Sequence, residues 1–286
     1  LTLGHVESSS AESAVVVWLH GFGDSPGGWA QALQPFRTTL EVPLKWVHLC
    51  APLLSQPCFG NRKLRAWGQF RTQERIQVGS TDYDDLDAEG AYGRSVADVL
   101  AELHDLEQTL PNSTRLLIGG FSQGAAIALE CALKYPKPLA GCIVVAGWAR
   151  PTVREFLAEG STSKTQTPFL LCHGEADDMV DVNCSRILKD LLSKKGAEVQ
   201  LQTYPGIQHE SCPELLNAVM EFMCKGLKLP IPTSITWDDS DSESDTAVVY
   251  VSKSRLADLQ RASSDVSQAA LLELVDPTGL AETQPS

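Results

Sequence analysis

Three residues of types that can carry out nucleophilic catalysis follow separate apolar runs of the sequence. Ser122 lies in the pattern Gly-Phe-Ser-Gln-Gly, Asp177 follows a later apolar run, and His209 follows the next one. A serine hydroxyl is a poor nucleophile at neutral pH, so it needs a base and an acidic group that orients the base. The three types and their order therefore predict acyl transfer through a serine nucleophile.

The segments on either side of Ser122 make this pattern a more specific signal than the motif alone. By chance alone, Gly-x-Ser-x-Gly arises in roughly one chain in ten of this length. Here the pattern stands between an apolar run, residues 115–118, and a run of small helix-favouring residues, 125–129. A strand that turns sharply into a helix exposes its serine in this way, and flanking glycines let the backbones pass closely. We therefore interpret residues 120–124 as a nucleophile elbow.

The base and the acid are less sharply specified. His209 lies after the last predicted strand and before the last predicted helix, although a lone loop histidine is more often a structural or surface residue. Four carboxylates compete for the acidic role, and spacing alone cannot choose among them: Glu175, Asp177, Asp178 and Asp181.

A second turn bracketed by glycines could complete the site. The first predicted strand ends in His20-Gly-Phe-Gly-Asp24, which could aim the backbone N–H of Phe22 at an oxyanion. The N–H of Gln123, which follows the nucleophile, would be the second donor. The alternative is an ordinary strand-to-helix turn, and we interpret His20 as structural rather than as a second base.

Short apolar runs alternate with segments of helical spacing, which predicts an α/β fold with a mostly parallel central sheet and helices on both faces. The predicted strands are residues 14–20, 45–50, 115–121, 140–146, 168–173 and 198–204. The predicted helices are residues 28–40, 86–110, 124–135, 182–195 and 213–225.

Two regions break this alternation. Residues 51–83 are long and polar, which is typical of a functional flap or a poorly ordered insertion. After residue 228 an acidic low-complexity run begins, so we predict a catalytic domain at 1–228 and a tail at 229–286. From residue 230 onward the chain has ten acidic and three basic side chains. We expect a disordered tail with a short strand near 246–252 and a helix near 254–274, or alternatively a phosphoregulated segment that binds a protein partner.

Composition excludes several classes of function. The formal net charge of −13 argues against nucleic acid as a partner. The sequence contains no run of 18 or more apolar residues, so no transmembrane segment is predicted. The eight cysteines show no C-x-x-C pattern, so we interpret them as reduced and expect a cytoplasmic location. No zinc, dinucleotide or phosphate-loop pattern occurs, so we expect neither a metal nor a cofactor.

Four separated motifs together resemble the acyl-protein thioesterases and small carboxylesterases, also called lysophospholipase-like esterases. The similarity covers roughly residues 13–227 and rests on residues 20–24, 119–124, 173–177 and 204–209. The resemblance implies an α/β-hydrolase that cleaves acylated proteins, lysophospholipids or small esters. It favours Asp177 over Asp178 as the acid, beside Ser122 and His209, with the Phe22 and Gln123 amides as the oxyanion hole.

The resemblance also has departures. Family members usually carry Trp-Phe-Asp in the flap, whereas this chain has Ala-Trp-Gly-Gln-Phe at residues 66–70 within a basic patch. We expect Trp67 and Trp148 to contribute to substrate binding, although Trp148 could equally be a core residue. Two other functions stay open: a short-chain esterase or peptidase with the same triad, and a non-catalytic binding module that uses the acidic tail.

Overall fold

The computed structural model describes residues 14–40, 44–80, 90–110, 115–158, 166–232 and 249–250. Seven parallel strands form one sheet in the spatial order β8-β7-β6-β5-β1-β2-β9. They are β1 (Ala14–Leu19), β2 (Leu44–Leu49), β5 (Leu116–Phe121), β6 (Gly141–Val145), β7 (Phe169–Gly174), β8 (Val199–Tyr204) and β9 (Val249–Tyr250). The helices are α1 (Pro26–Ala32), α2 (Gln34–Thr39), α3 (Ala91–Glu107), α4 (Gln123–Lys134), α5 (Pro151–Ala158), α6 (Asn183–Lys194) and α7 (Pro213–Leu227).

Helices cover both faces of the sheet, which confirms the predicted fold class. Alternate residues of β1 point to opposite faces, and all six are buried. Val15, Val17 and Leu19 pack in a core with α3, α4, α5 and α6. The residues between them pack in a second core with α1, α2 and α7. A strand that is buried on both faces needs a continuous apolar run, and this explains why β1, β5, β6 and β7 could be located from the sequence.

The first predicted helix is divided into α1 and α2. Pro35 lies in the first turn of α2. Proline has no N–H to donate to the preceding turn, so the helix restarts there. Helix α5 was not predicted. It begins at Pro151, a favourable first helical residue, and packs through Val153 and Leu157.

The predicted flap contains an antiparallel hairpin formed by β3 (Leu53–Gln56) and β4 (Arg62–Arg65). Farther along, Ile76 makes a parallel bridge with Val180 beyond β7. We use "flap" below for residues 51–80. The hairpin gives the flap regular structure, and the bridge from Ile76 to Val180 joins its later part to the loop after β7.

Helix α7 ends at Leu227, and Lys228 adopts a left-handed conformation. Strand β9 pairs with β2, so part of the predicted tail extends the sheet, and the predicted strand at 246–252 includes it. The predicted helix at 254–274 lies outside the described residues. The division into a catalytic domain and a tail stays a prediction.

Candidate active site

Ser122 stands at the junction between the central strand β5 and helix α4. Its backbone has φ 53° and ψ −121°, a conformation that residues with a side chain rarely adopt. The Ser122 N–H donates to the Val145 carbonyl at 2.8 Å, and its carbonyl accepts from the Ala126 N–H at 3.1 Å. The sheet and the helix together hold this strained residue in place, as a nucleophile elbow requires.

Close backbone contacts require glycine at positions 120 and 124, on either side of Ser122. A Cβ at Gly124 would lie 2.4 Å from the carbonyl oxygens of both Leu19 and His20. A Cβ at Gly120 would lie 2.7 Å from the Leu19 oxygen. Because the obstructing atoms belong to backbone, neither clash can be relieved by a side-chain rotation. The end of β1 therefore passes directly against the elbow.

Ser122, His209 and Asp177 form a continuous chain of hydrogen bonds. His209 Nε2 lies 2.9 Å from Ser122 Oγ, and His209 Nδ1 lies 2.7 Å from Asp177 Oδ2. A carboxylate only accepts hydrogen bonds, so Nδ1 carries the proton and Nε2 presents its lone pair to the serine. The Phe121 ring packs beside the imidazole with centroids 4.7 Å apart. The imidazole is thereby oriented to accept the serine proton.

Asp177 is buried, and both of its carboxylate oxygens have donors. Oδ1 accepts from the N–H groups of Met179 and Val180, each at 2.8 Å. Oδ2 faces His209 Nδ1 and, at 3.3 Å, His173 Nε2. Burial by itself would raise the pKa of the Asp177 carboxyl. The hydrogen bonds from both histidines and Val180, with the charge of His209, outweigh it and hold the pKa well below its ordinary value.

The three competing carboxylates have other surroundings. Asp178 is exposed. Glu175 accepts from the Thr203 hydroxyl at 2.7 Å. Asp181 accepts from the Asn183 N–H at 2.8 Å and pairs with Arg75 at 3.2 Å. Only Asp177, among these four, faces His209. The backbone geometry of the turn after β7 determines which carboxylate faces His209, and this cannot be inferred from residue spacing.

His173 faces the same carboxylate oxygen of Asp177 as His209 does, a contact that the sequence analysis did not predict. Its Nδ1 lies 2.7 Å from Ser185 Oγ, and its Nε2 lies 2.9 Å from the Val180 carbonyl. Since Nε2 faces a carbonyl and the Asp177 carboxylate, that nitrogen carries the proton. The only signal in the sequence was a histidine at the end of a buried strand, which is more often a core residue.

The turn after β1 carries Phe22. His20 accepts a hydrogen bond from the Ala51 N–H at Nε2, at 3.0 Å, and its Nδ1 lies 2.8 Å from the Gly21 carbonyl. Burial, partly offset by that carbonyl, lowers the pKa of His20. His20 is therefore a neutral structural residue. Within the described part of the chain, the backbone N–H groups of Phe22 and Gln123 donate to no acceptor.

The two predicted substrate-binding tryptophans are both buried. Trp67 donates its indole N–H to the His20 carbonyl at 2.8 Å. Trp148, on the loop after β6, lies 6.3 Å from the Phe70 ring between centroids. Phe70 in turn lies 5.0 Å from the Phe22 ring. Phe22, Phe70 and Trp148 thus form an aromatic row from the turn after β1 to the loop after β6.

The described residues contain no group of three or more histidine, cysteine, aspartate or glutamate side chains arranged to hold a metal ion. In the same part of the chain, none of the helices has the length and apolarity needed to cross a membrane.

Known proteins resemble this chain in sequence and in fold. A sequence model described as Phospholipase/Carboxylesterase matches residues 5–227. Acyl-protein thioesterase 1 of Neurospora crassa is 29% identical over 230 residues, which cover 78% of this chain and 90% of the relative. The crystal structure of SOBER1 from Arabidopsis thaliana has a TM-score of 0.64 and 26% identity, and the match covers 75% of this chain and 99% of that one.

A second solved structure gives a similar match. The structure of acyl-protein thioesterase 2 from Zea mays gives a TM-score of 0.59 and 27% identity, with 78% of this chain and 97% of that chain covered. The resemblance inferred from the four motifs is confirmed. The chain belongs to the phospholipase/carboxylesterase family of α/β-hydrolases.

Proposed function

We propose that this protein is a serine hydrolase that cleaves carboxylic ester or thioester bonds, with Ser122 as nucleophile, His209 as base and Asp177 as the orienting acid. The observation that carries this proposal is the chain of two hydrogen bonds from Asp177 through His209 to Ser122. A structural role alone would not require a strained serine to face the lone pair of an oriented imidazole.

The reaction has two steps. His209 Nε2 takes the Ser122 proton while Oγ attacks the acyl carbonyl, and the N–H groups of Phe22 and Gln123 stabilise the resulting oxyanion. The imidazolium then protonates the departing alcohol or thiol, which leaves an acyl-serine. Water, deprotonated by His209, attacks that ester; the imidazolium then returns the proton to Ser122 Oγ as the acyl–oxygen bond breaks, which releases the carboxylic acid and restores the enzyme. Asp177, which stays ionised because its pKa is lowered, stabilises the imidazolium in both steps.

The substrates we propose are S-acylated proteins, lysophospholipids or small carboxylic esters. Relatives named acyl-protein thioesterase and carboxylesterase support these classes. So does a small, mostly apolar cleft lined by Trp148, Val78, Ile187, Leu188 and Leu191, with Gln77 and Arg154 also at its wall. The Phe22 and Phe70 rings of the aromatic row are half-buried and lie next to each other, so we propose that the acyl chain packs against this pair.

We propose a cytoplasmic location and a protein partner for the acidic tail. All eight cysteines are free thiols, which suits a reducing compartment. The negative charge of the tail suits a basic partner surface.

Labelling with a fluorophosphonate probe tests the proposed nucleophile. Wild-type protein should be labelled and should turn over acyl thioesters, and Ser122→Ala should abolish both while the fold is kept. Ser193→Ala, the same change at an exposed serine of α6, is the matched control and should behave as wild type. Comparison of short and long acyl thioesters then separates depalmitoylation from short-chain esterase activity. Failure of the folded wild type to react would favour a non-catalytic binding module.

A further inference from the structure

Trp67 makes three buried hydrogen bonds to three different parts of the protein. Its backbone N–H donates to the Gln123 side-chain oxygen at 2.8 Å, and its indole N–H donates to the His20 carbonyl at 2.8 Å. Its carbonyl accepts from the Ser95 hydroxyl at 2.6 Å. The residue is 3% exposed. Trp67 therefore connects the flap to the turn after β1, to the nucleophile elbow and to helix α3.

The Gln123 side chain is fully buried, and both ends of its amide are bonded. Besides accepting from Trp67, it donates to the Gly68 carbonyl at 3.2 Å and to the Tyr92 hydroxyl at 2.9 Å. A Cβ at Gly68 would lie 2.3 Å from the Tyr92 ring, so the flap backbone packs directly on that ring. Because one end of the amide accepts and the other donates, only one orientation of the Gln123 amide satisfies all these groups.

These contacts meet at the two donors assigned to the oxyanion hole. One donor is the backbone N–H of Gln123 itself. The other belongs to Phe22, two residues after the carbonyl that Trp67 holds. The turn has a second tie to the flap, since the Gly23 N–H donates to the Arg65 carbonyl at 2.8 Å. Both donors are therefore placed by the same flap segment.

We propose that Trp67 and the Gln123 side chain are positioning residues that fix the Phe22 and Gln123 amides relative to each other. The proposal rests on the proposed function above and revises the expected role of Trp67, since its polar groups bind protein rather than substrate. Oxyanion donors act only when they lie at hydrogen-bond distance from the developing charge, so a displacement near 1 Å costs about 100-fold in rate. Burial keeps the network rigid and dry, so little reorganisation is needed during the reaction.

The test uses two variants of the full chain. Trp67→Phe removes the indole N–H and keeps an aromatic ring, and Gln123→Leu removes the amide at similar volume. Each should lower kcat for a soluble ester by about tenfold or more, with KM within about threefold of wild type. Affinity for an alkyl boronic acid, which forms a tetrahedral adduct on the serine, should fall in parallel. Gln69→Leu is the matched control, because Gln69 is an exposed neighbour on the flap and should leave kcat unchanged.

The double variant adds a second readout. If both residues act through one network, the combined loss should be clearly smaller than the product of the single losses. Where Gln123→Leu does not fold, Tyr92→Phe replaces it, since that change removes one acceptor atom, and a fall in kcat and boronate affinity of about threefold is expected. Folded variants with wild-type kcat and boronate affinity would refute the positioning role. A wild type that hydrolyses no ester or thioester would instead refute the proposed function.

Discussion

The amide introduced by Asp177→Asn should take one defined orientation. In the wild type, Oδ1 accepts two backbone N–H groups, from Met179 and Val180, each at 2.8 Å. An NH₂ group at that position would face two donors and satisfy neither. The new amide must therefore keep its oxygen there and turn its NH₂ group toward His209 Nδ1. The His173 Nε2–H, which also faces that position, keeps the Val180 carbonyl as its acceptor. The orientation is defined because both oxygens of the Asp177 carboxylate have hydrogen-bond partners in the wild type.

This orientation should disable the base. With an NH₂ donor in front of it, His209 Nδ1 becomes the acceptor, and the ring proton moves to Nε2, the atom 2.9 Å from Ser122 Oγ. A protonated Nε2 cannot accept the serine proton. The change of tautomer in a Ser-His-Asp triad costs about 10⁴ in kcat, which corresponds to about 5 kcal/mol of transition-state stabilisation.

The assay is steady-state hydrolysis of a chromogenic ester near pH 7.5, with thermal unfolding as the check on folding. Asp178→Asn makes the same chemical change at the exposed neighbour and should retain wild-type kcat. A folded Asp177→Asn protein with more than a tenth of wild-type kcat would refute the tautomer argument. Equal losses in the two variants would show that the acid was assigned to the wrong residue.

Four further outcomes are expected. Lowering the pH below 3.8, the ordinary pKa of an aspartate, should reduce the free energy of unfolding. In that range the unfolded chain binds a proton at Asp177, whereas folded Asp177, with its lowered pKa, stays ionised. Asp177→Asn should flatten this pH dependence in acid-induced unfolding. Gly124→Ala should destabilise the protein by about 3 kcal/mol in urea unfolding, since backbone oxygens lie where its Cβ would be, and soluble protein of wild-type stability would contradict the clash. Glu130→Gln should cost about 3–5 kcal/mol because it removes the carboxylate 2.7 Å from the buried Arg150, with Glu155→Gln as the exposed control. Truncation after residue 229 should leave turnover of a soluble ester within about twofold of wild type if the catalytic domain ends near 228, and a large loss would place the boundary later.

The parts of the fold that depend on burial could be predicted from the sequence. All six predicted strands correspond to strands of the structure, and their ends differ by at most one residue. Strands β1, β5, β6 and β7 are buried almost throughout, so each is a continuous apolar run that can be read from the sequence. The hairpin in the flap was not predicted. Its strands have four residues each and are largely exposed or half-buried, so neither shows the apolar run that marks a core strand.

The same distinction applies to the site. The positions of Ser122 after β5 and of His209 after β8 could be predicted because both strands could be predicted, whereas their catalytic roles stay a proposal. The choice of Asp177 over Asp178 depends on a turn in which two backbone N–H groups bind one oxygen of Asp177, and this is a matter of backbone direction within a few residues. The roles proposed for Trp67 and the Gln123 side chain could not be predicted, since their partners lie 28 to 56 residues away in the chain.

The order of the strands divides the proposed triad between parts of unequal local stability. Ser122 follows β5, which is paired on both sides, whereas His209 follows β8, which pairs with β7 alone in the described sheet. Terminal strands open more readily than central ones, and amide hydrogen exchange reports such openings. We expect amides of β8 to exchange before those of β5. In rising denaturant, activity should then be lost before the sheet unfolds, because local opening of β8 displaces His209, the proposed base, while Ser122 keeps its position.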